Sequence, residues 1–154
     1  DISVVDGWTR LECCSFDAYN EAGNLREMTE RFRARDGHYP SRILADKIYR
    51  NRENLSYCKA HGIRLSGPAL GRPKKGETRD RALDYRDECE RVEAERRFSL
   101  AKRKCGMGLV TAKLRETAAH VIAMSVLVLN LRKIQRALLR ILTYLLEILA
   151  QKKN

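Results

Sequence analysis

Arg42-Ile43-Leu44-Ala45-Asp46-Lys47-Ile48-Tyr49-Arg50-Asn51-Arg52-Glu53-Asn54 decides how the chain folds. Arg42 to Asp46 reads as a strand ending in an acid, and Asn51 to Ala60 reads as a helix closed by Gly62. Upstream, Ile2–Val5 and Trp8–Phe16 are β-like runs joined by Asp6-Gly7, a dipeptide that accepts the positive φ angles of a tight hairpin turn. Asn24 stands as an N-cap with Glu27 three residues on, followed by Leu25, Met28 and Phe32 at helical spacing and a stop at Gly37. Strands alternating with helices in this order predict an α/β sheet.

Downstream, Ser66 to Arg81 is rich in Gly, Pro and cations, Lys74 and Lys75 among them, and reads as an exposed basic linker able to lie along a phosphate backbone. A highly charged helical segment follows from Asp84 to Lys104. Past Gly106 and Gly108 a long helical run reaches nearly to the C-terminus. Within it Leu127, Leu131, Ile134, Leu138, Ile141, Leu145 and Ile148 recur at alternating spacings of four and three, which makes a packing seam. Such a seam serves either as core or as the contact of a homodimer. The chain thus divides into a sheet-and-helix part (residues 1–65), the basic linker (66–81) and a helical part (82–154), and its 154 residues fit one domain. It opens at Asp1 directly on the apolar Ile2-Ser3-Val4-Val5, as a chain truncated on its N-terminal side would.

Lysine and arginine total 31 against 20 acidic residues, a formal charge of +11. That sign and size point to a polyanionic partner, or to a basic solvated surface, and the clustering of arginines selects nucleic acid. The five cysteines are odd in number and form no C-x-x-C pair, which predicts a reducing, cytoplasmic compartment and argues against structural zinc. The most apolar run, Ala118 to Leu129, is interrupted by His120 and Ser125 and falls short of the roughly 20 residues of a bilayer crossing, so no membrane contact is expected.

Two acids stand out. Asp46 follows a predicted strand, where open α/β sheets gather ligands and metals, although a turn or helix-capping aspartate fits the same position. Glu95 lies in Arg91-Val92-Glu93-Ala94-Glu95-Arg96-Arg97-Phe98, ahead of Lys102-Arg103-Lys104. Helical spacing lines Arg91, Glu95, Phe98 and Lys102 on one stripe, a pattern equally suited to a surface of i,i+4 salt bridges.

The stretch from Asp46 to Asn54, then Ser66-Gly67-Pro68-Ala69-Leu70-Gly71-Arg72-Pro73, then Glu95-x2-Phe98-x3-Lys102-Arg103-x2-Gly106, and Ala112-Lys113-Leu114-x-Glu116-Thr117 closing on Leu129-Asn130-Leu131, together resemble the DDE transposases of bacterial insertion sequences. Val5-Asp6-Gly7 and Asp17-Ala18-Tyr19-Asn20-Glu21 belong to the same resemblance, which covers roughly Ile2 to Gln135. It implies the C-terminal part of a catalytic domain with a ribonuclease-H-like fold, acting on DNA in the bacterial cytoplasm with magnesium or manganese. In the family signature Tyr-x2-Arg-x3-Glu-x6-Lys, Arg91, Glu95 and Lys102 fit the spacing, while Glu88 stands in the tyrosine slot with Tyr85 one turn earlier. The resemblance makes Asp46 and Glu95 the catalytic, metal-holding carboxylates. Lys102, with Arg91, Arg96, Arg97, Arg103, Lys74 and Lys75, becomes the DNA-contacting set.

A pair of magnesium ions clamping the attacking and leaving oxygens of a phosphoryl displacement needs several hard oxygen ligands. No match for the family's first aspartate is found, so the chain is expected to be catalytically incomplete alone. Two rival functions share the composition: a non-catalytic nucleic-acid-binding module, and a helical oligomerisation protein built on the Leu127–Ile148 seam.

Overall fold

The structure, a computed structural model, describes residues 1–67, 70–71 and 80–151. It is mixed α/β and mostly helical, and it divides into two compact units, one of Asp1 with Ser15–Glu95 and one of Ile2–Cys14 with Arg96–Asn154. The division falls inside a single helix. The linker assigned to 66–81 lies largely outside the described residues.

In the first unit, Asn20 accepts a hydrogen bond from the Ala22 N–H and starts a 3-10 turn at Glu21–Gly23, which leads into helix α1 (Asn24–Asp36). The cap therefore sits one turn earlier than expected: Asn24 is the first helical residue, and Gly23 precedes it without a side-chain cap. The helix ends at Gly37, as its sequence indicates. Helix α2 (Arg52–Ala60) is capped by Asn51, whose Oδ1 accepts from the Asn54 N–H at 2.8 Å. Asn54 in turn donates to the carbonyls of Ala22 and Tyr49, both at 2.8 Å. Leu25, Cys58, Ile63 and Leu65 form the core, and burial pushes the Cys58 thiol upward in pKa.

The strand expected over Arg42–Asp46 is shorter. Here β3 is Arg42–Ile43 and pairs in parallel with β4 (Arg64–Leu65), Arg42 opposite Arg64 and Ile43 opposite Leu65. The ladder continues only as Ser66 N–H to the Ile43 carbonyl, after which the Ser66 hydroxyl, not a backbone group, meets the Ala45 N–H. With no longer partner, the chain leaves the strand before Asp46. The described strands form two separate two-stranded sheets.

Placing Arg42 beside Arg64 sets two like charges against each other, which destabilises a strand pair. Helix α3 (Arg81–Lys104) supplies the compensation. Arg64 binds both oxygens of Asp87, which is buried, with one contact at 2.8 Å, and Arg42 grips Glu90 at 2.6 and 3.2 Å. The Arg64 hydrogen bond, and then the nearby Arg64 and Arg42 charges, hold the Asp87 carboxyl below the usual carboxylate range.

In the second unit, β1 (Ile2–Val5) and β2 (Trp8–Leu11) form the expected hairpin, with Asp6 at φ 50° and Gly7 at φ 72° in the two-residue turn. The Trp8–Phe16 run pairs only as far as Leu11, which faces Ile2 at the start of β1. Val5 faces Trp8 across the turn, so this pair exchanges both hydrogen bonds and the next pair, Val4 with Thr9, does not. The Thr9 N–H and carbonyl consequently point away from β1. Asn130, on helix α4 (Arg115–Gln151), takes both: its Oδ1 accepts from Thr9 N at 3.0 Å and its Nδ2 donates to Thr9 O at 2.8 Å. One carboxamide thus substitutes for a third strand. Lys133, one turn on, donates to the Asp6 carbonyl and lies over the Trp8 ring at 4.1 Å.

Leu129, Val126 and Ala118 of α4 are buried in this unit. By length and composition α4 is long and apolar enough to cross a membrane. The helix itself continues unbroken past the run Ala118–Leu129 as far as Gln151, through Arg132, Lys133, Arg136 and Arg140 as well as the leucines and isoleucines.

Replacing Asn130 with Ala is expected to leave two buried backbone groups of Thr9 unpaired and to lower stability by about 2 kcal/mol or more. Denaturant unfolding together with amide exchange at Thr9 measures it, and an unchanged midpoint with unchanged exchange would remove Asn130 from the account of this unit.

Asp87→Asn is expected to cost about 2 kcal/mol, less than the 3–5 kcal/mol of breaking a fully buried pair, because Arg64 is 38% exposed. A depressed carboxylate pKa stabilises fully above the unfolded value of about 3.9 and loses that contribution as pH falls through the folded value. Unfolding titrations from pH 7 down to about pH 2 should accordingly show a shallower acid loss in the variant than in the parent protein.

Candidate active site and nucleic-acid surface

Asp46 stands three residues past the end of β3, at the N-cap of a 3-10 turn (Lys47–Tyr49), and its Oδ1 accepts from the Lys47 N–H at 2.6 Å. It is exposed, so its capping role occupies one oxygen and leaves the carboxylate open to solvent. The following Arg50 donates to the carbonyls of Leu65 and Ser66 at 2.6 and 2.8 Å, which ties the segment after Asp46 to the end of β4.

Glu95 lies in the same unit on α3, two-thirds of the way along the helix and 61% exposed. Its Oε1 accepts from Arg91 at 2.6 Å, and Arg91 also grips Glu88. These pairs raise the Arg91 pKa, Glu88 contributing most and Glu95 next, while the Arg91 hydrogen bond lowers that of Glu88. Exposed i,i+3 and i,i+4 pairs are worth only about 0.3–0.5 kcal/mol, so a phosphate or a cation can displace them at little cost.

The sequence separates Asp46 and Glu95 by 49 positions, and the fold places both in the first unit. Lys47, the neighbour of Asp46, acts electrostatically on Glu88, which precedes Glu95 by seven residues, or about 10 Å along a helix. No hydrogen bond joins the two acids, and among the described residues no group of three or more His, Cys, Asp or Glu side chains is gathered as a metal centre requires. The donor chemistry of two exposed carboxylates suits magnesium. Their number falls short of a two-metal centre.

The cationic candidates divide between the units. Arg91 belongs to the first, while Arg96, Arg97, Lys102 and Arg103 belong to the second. Lys102 is exposed, with its ammonium 4.3 Å from the centroid of the Phe98 ring, and Arg103 is exposed beside it. Arg96 is exposed and Arg97 half-buried; a side chain added at Gly7 would come within 3.3 Å of the Arg97 guanidinium. After Lys104 the helix terminates in a loop where Gly108 packs so tightly that a Cβ there would stand 2.7 Å from the Lys102 carbonyl. Lys74 and Lys75 lie outside the described residues. An open cleft of about 520 Å³ on α1 and α2, lined by Arg26, Arg52, Tyr57 and His61 among others, contains none of the predicted site residues.

The residues that position α3, namely Arg42, Arg64, Asp87 and Glu90, were not among the sequence candidates. Arg64 and Asp87 lie 23 positions apart, on β4 and α3, and only the fold brings them together, while the register of β3 with β4 sets Arg42 beside Arg64.

Exposed carboxylates and cations thus alternate along α3, a surface that suits phosphate contacts and i,i+4 ion pairs alike. Residues 43–132 match the family model described as Transposase DDE domain, more than half of the chain, and the chain belongs to that family. No curated protein and no solved structure matches it. Membership gives the chain a role in DNA transposition, DNA as its general partner, and the enzymatic class of transposases, which use divalent metal ions.

Lys102→Ala is expected to weaken DNA binding and to lower the slope of log affinity against log salt by about 0.9, the share of one phosphate contact. Stability should change by no more than about 0.5 kcal/mol, as for other helix-surface side chains. An unfolded variant would make Lys102 a structural residue.

Proposed function

We propose that the chain is the C-terminal part of the catalytic domain of a bacterial insertion-sequence transposase with a ribonuclease-H-like fold, working on DNA in the cytoplasm, at the nucleoid. The observation that carries this is the family match itself, over residues 43–132, a span that includes Asp46, Glu95 and Lys102. In this account Asp46 and Glu95 hold the divalent metal, magnesium or manganese. The metal, when bound, supplies Lewis-acid stabilisation of charge on the oxygens of the displaced phosphate. Lys102 with Arg103, Arg96 and Arg97 fix the DNA backbone through charge-assisted contacts, and Arg91, which keeps Glu88 when a cation takes Glu95, adds to them with the donors left open. Lys74 and Lys75 extend the same set. The Leu127–Ile148 face of α4 joins copies of the chain, without membrane contact. In this account the chain lacks a match for the family's first aspartate, and these 154 residues by themselves cleave no DNA.

A second function, a nucleic-acid-binding module without catalysis, is favoured by one observation: each acid already has a local partner, the Lys47 N–H for Asp46 and Arg91 for Glu95.

Paramagnetic Mn2+ separates the two. Titrated into the protein, it is expected to broaden the NMR signals of Asp46 and Glu95 together, with Asp46→Asn or Glu95→Gln each reducing the effect at the other residue. In parallel, DNA affinity should fall by orders of magnitude between about 50 and 200 mM salt if six or more phosphates are engaged. Broadening at neither acid, with the salt dependence intact, would leave the binding module as the function. A salt-insensitive affinity would remove both.

A further inference from the structure

Helix α4 has two faces. In heptad terms, with Leu131, Leu138 and Leu145 at position a, the seam residues Leu127, Ile134, Ile141 and Ile148 fall at d. The residues that build the second unit lie at b, c, f and g: Ala118 and Ser125 at b, Val126 at c and Leu129 at f are buried, while Lys133 at c and Asn130 at g hold the hairpin. The a/d face is turned away from that packing, its residues from Leu127 to Leu145 between 41% and 61% exposed.

Charge follows the same division. Between Leu127 and Gln151 the charged residues are Arg132, Lys133, Arg136, Arg140 and Glu147, which occupy b, c, f, c and c. None stands at e or g, where charges choose a partner of opposite sign or repel a like copy. The e positions carry Val128, Gln135, Leu142 and Leu149. A face without flanking charge accepts copies of itself and gives no unlike helix an electrostatic advantage.

With Leu139, Leu142, Leu146 and Leu149 also half-exposed or more, the face offers about 900 Å² of apolar area per chain, against about 800 Å² per partner in a standard stable interface and a few hundred tolerated on a soluble monomer. A bilayer is the poorer cover. It would have to take the charges of Arg136 and Arg140 out of water, which is costly near its centre, whereas both stand exposed at f and c, off the a/d seam, and remain in water when copies associate.

The identity of the core residues sets the number of copies. Ile at a with Leu at d favours two strands, and Leu at a with Ile at d favours more than two. This chain has the second arrangement. Leucines at b and e widen the apolar stripe beyond the narrow a/d seam of a two-stranded coil. We infer that α4 assembles four copies of the chain into a parallel four-stranded coil through its Leu-a, Ile-d face. The inference rests on the self-association proposed above and fixes its stoichiometry.

Sedimentation equilibrium of the 154-residue chain under reducing conditions tests it. The expected species has four times the chain mass. Exchanging the core layers (Leu131→Ile, Leu138→Ile, Leu145→Ile with Ile134→Leu, Ile141→Leu, Ile148→Leu) keeps composition and hydrophobicity and is expected to halve the mass to that of a dimer at unchanged helical circular dichroism. Leu138→Glu with Ile141→Glu should yield monomers that retain the hairpin signals of Thr9 and Trp8. A monomeric parent protein would overturn both the stoichiometry and self-association. A dimeric parent unmoved by the exchange would overturn the stoichiometry alone, and co-sedimentation with phosphatidylcholine vesicles would assign the face to lipid instead. None of these outcomes bears on Mn2+ at Asp46 and Glu95, so the transposase assignment stands or falls separately.

Discussion

A buried carboxylate, Asp87, governs what the first unit can present. Taking it out of water is costly unless its charge is met, and Arg64 meets it with two contacts while Arg42 adds charge from the adjacent strand. The reverse dependence is equally strong, since two arginines in register on a two-residue strand pair would repel without Asp87 and Glu90. The outcome is a parallel pair too short to hold by backbone bonds alone, locked to α3 by ion pairs. That lock sets where Arg91 and Glu95, one and two turns further along the same helix, stand in the unit that also carries Asp46.

What the sequence made legible was local. The Asp6-Gly7 turn, the Asn51 cap, the Gly37 stop and the two long helices all depend on residues within a few positions of each other, and all appear in the structure. The strand ending at Asp46 did not, because strand length is set by the partner, and β4 lies 21 positions away and offers only two residues. The motif Leu129-Asn130-Leu131 was recognisable as a signature, yet its physical task depends on Thr9, 121 positions earlier. Spacing along the chain carries no trace of that pairing. The heptad seam was legible as a pattern, whereas its exposure became visible only once the hairpin was seen to be held by Asn130 and Lys133 on another face of α4.

For the candidate site, the same distinction explains why Asp46 and Glu95 could be named and their surroundings could not. Signature spacing identifies the acids, while the partners that decide their availability come from the fold: a backbone N–H for Asp46 and a guanidinium for Glu95. Both partners are weak in energetic terms, because both acids are exposed and water competes for each bond. The carboxylates are therefore held in place without being used up, which is the condition a metal ligand must meet before the metal arrives.

The residue that departs from the family signature has a physical consequence of its own. With Glu88 in the slot of the tyrosine, Arg91 is gripped by two carboxylates, and Glu88 is the larger cause of its raised pKa. A neutral phenol at that position would leave Arg91 with Glu95 alone, so that a cation binding Glu95 would set the guanidinium free for phosphate. Here the same event still leaves Arg91 paired to Glu88. Under the proposed function the substitution thus uncouples the two halves of the site: a metal that takes Glu95 leaves Arg91 tied to Glu88, and the holding of the backbone rests more on Lys102 and Arg103 further along the helix.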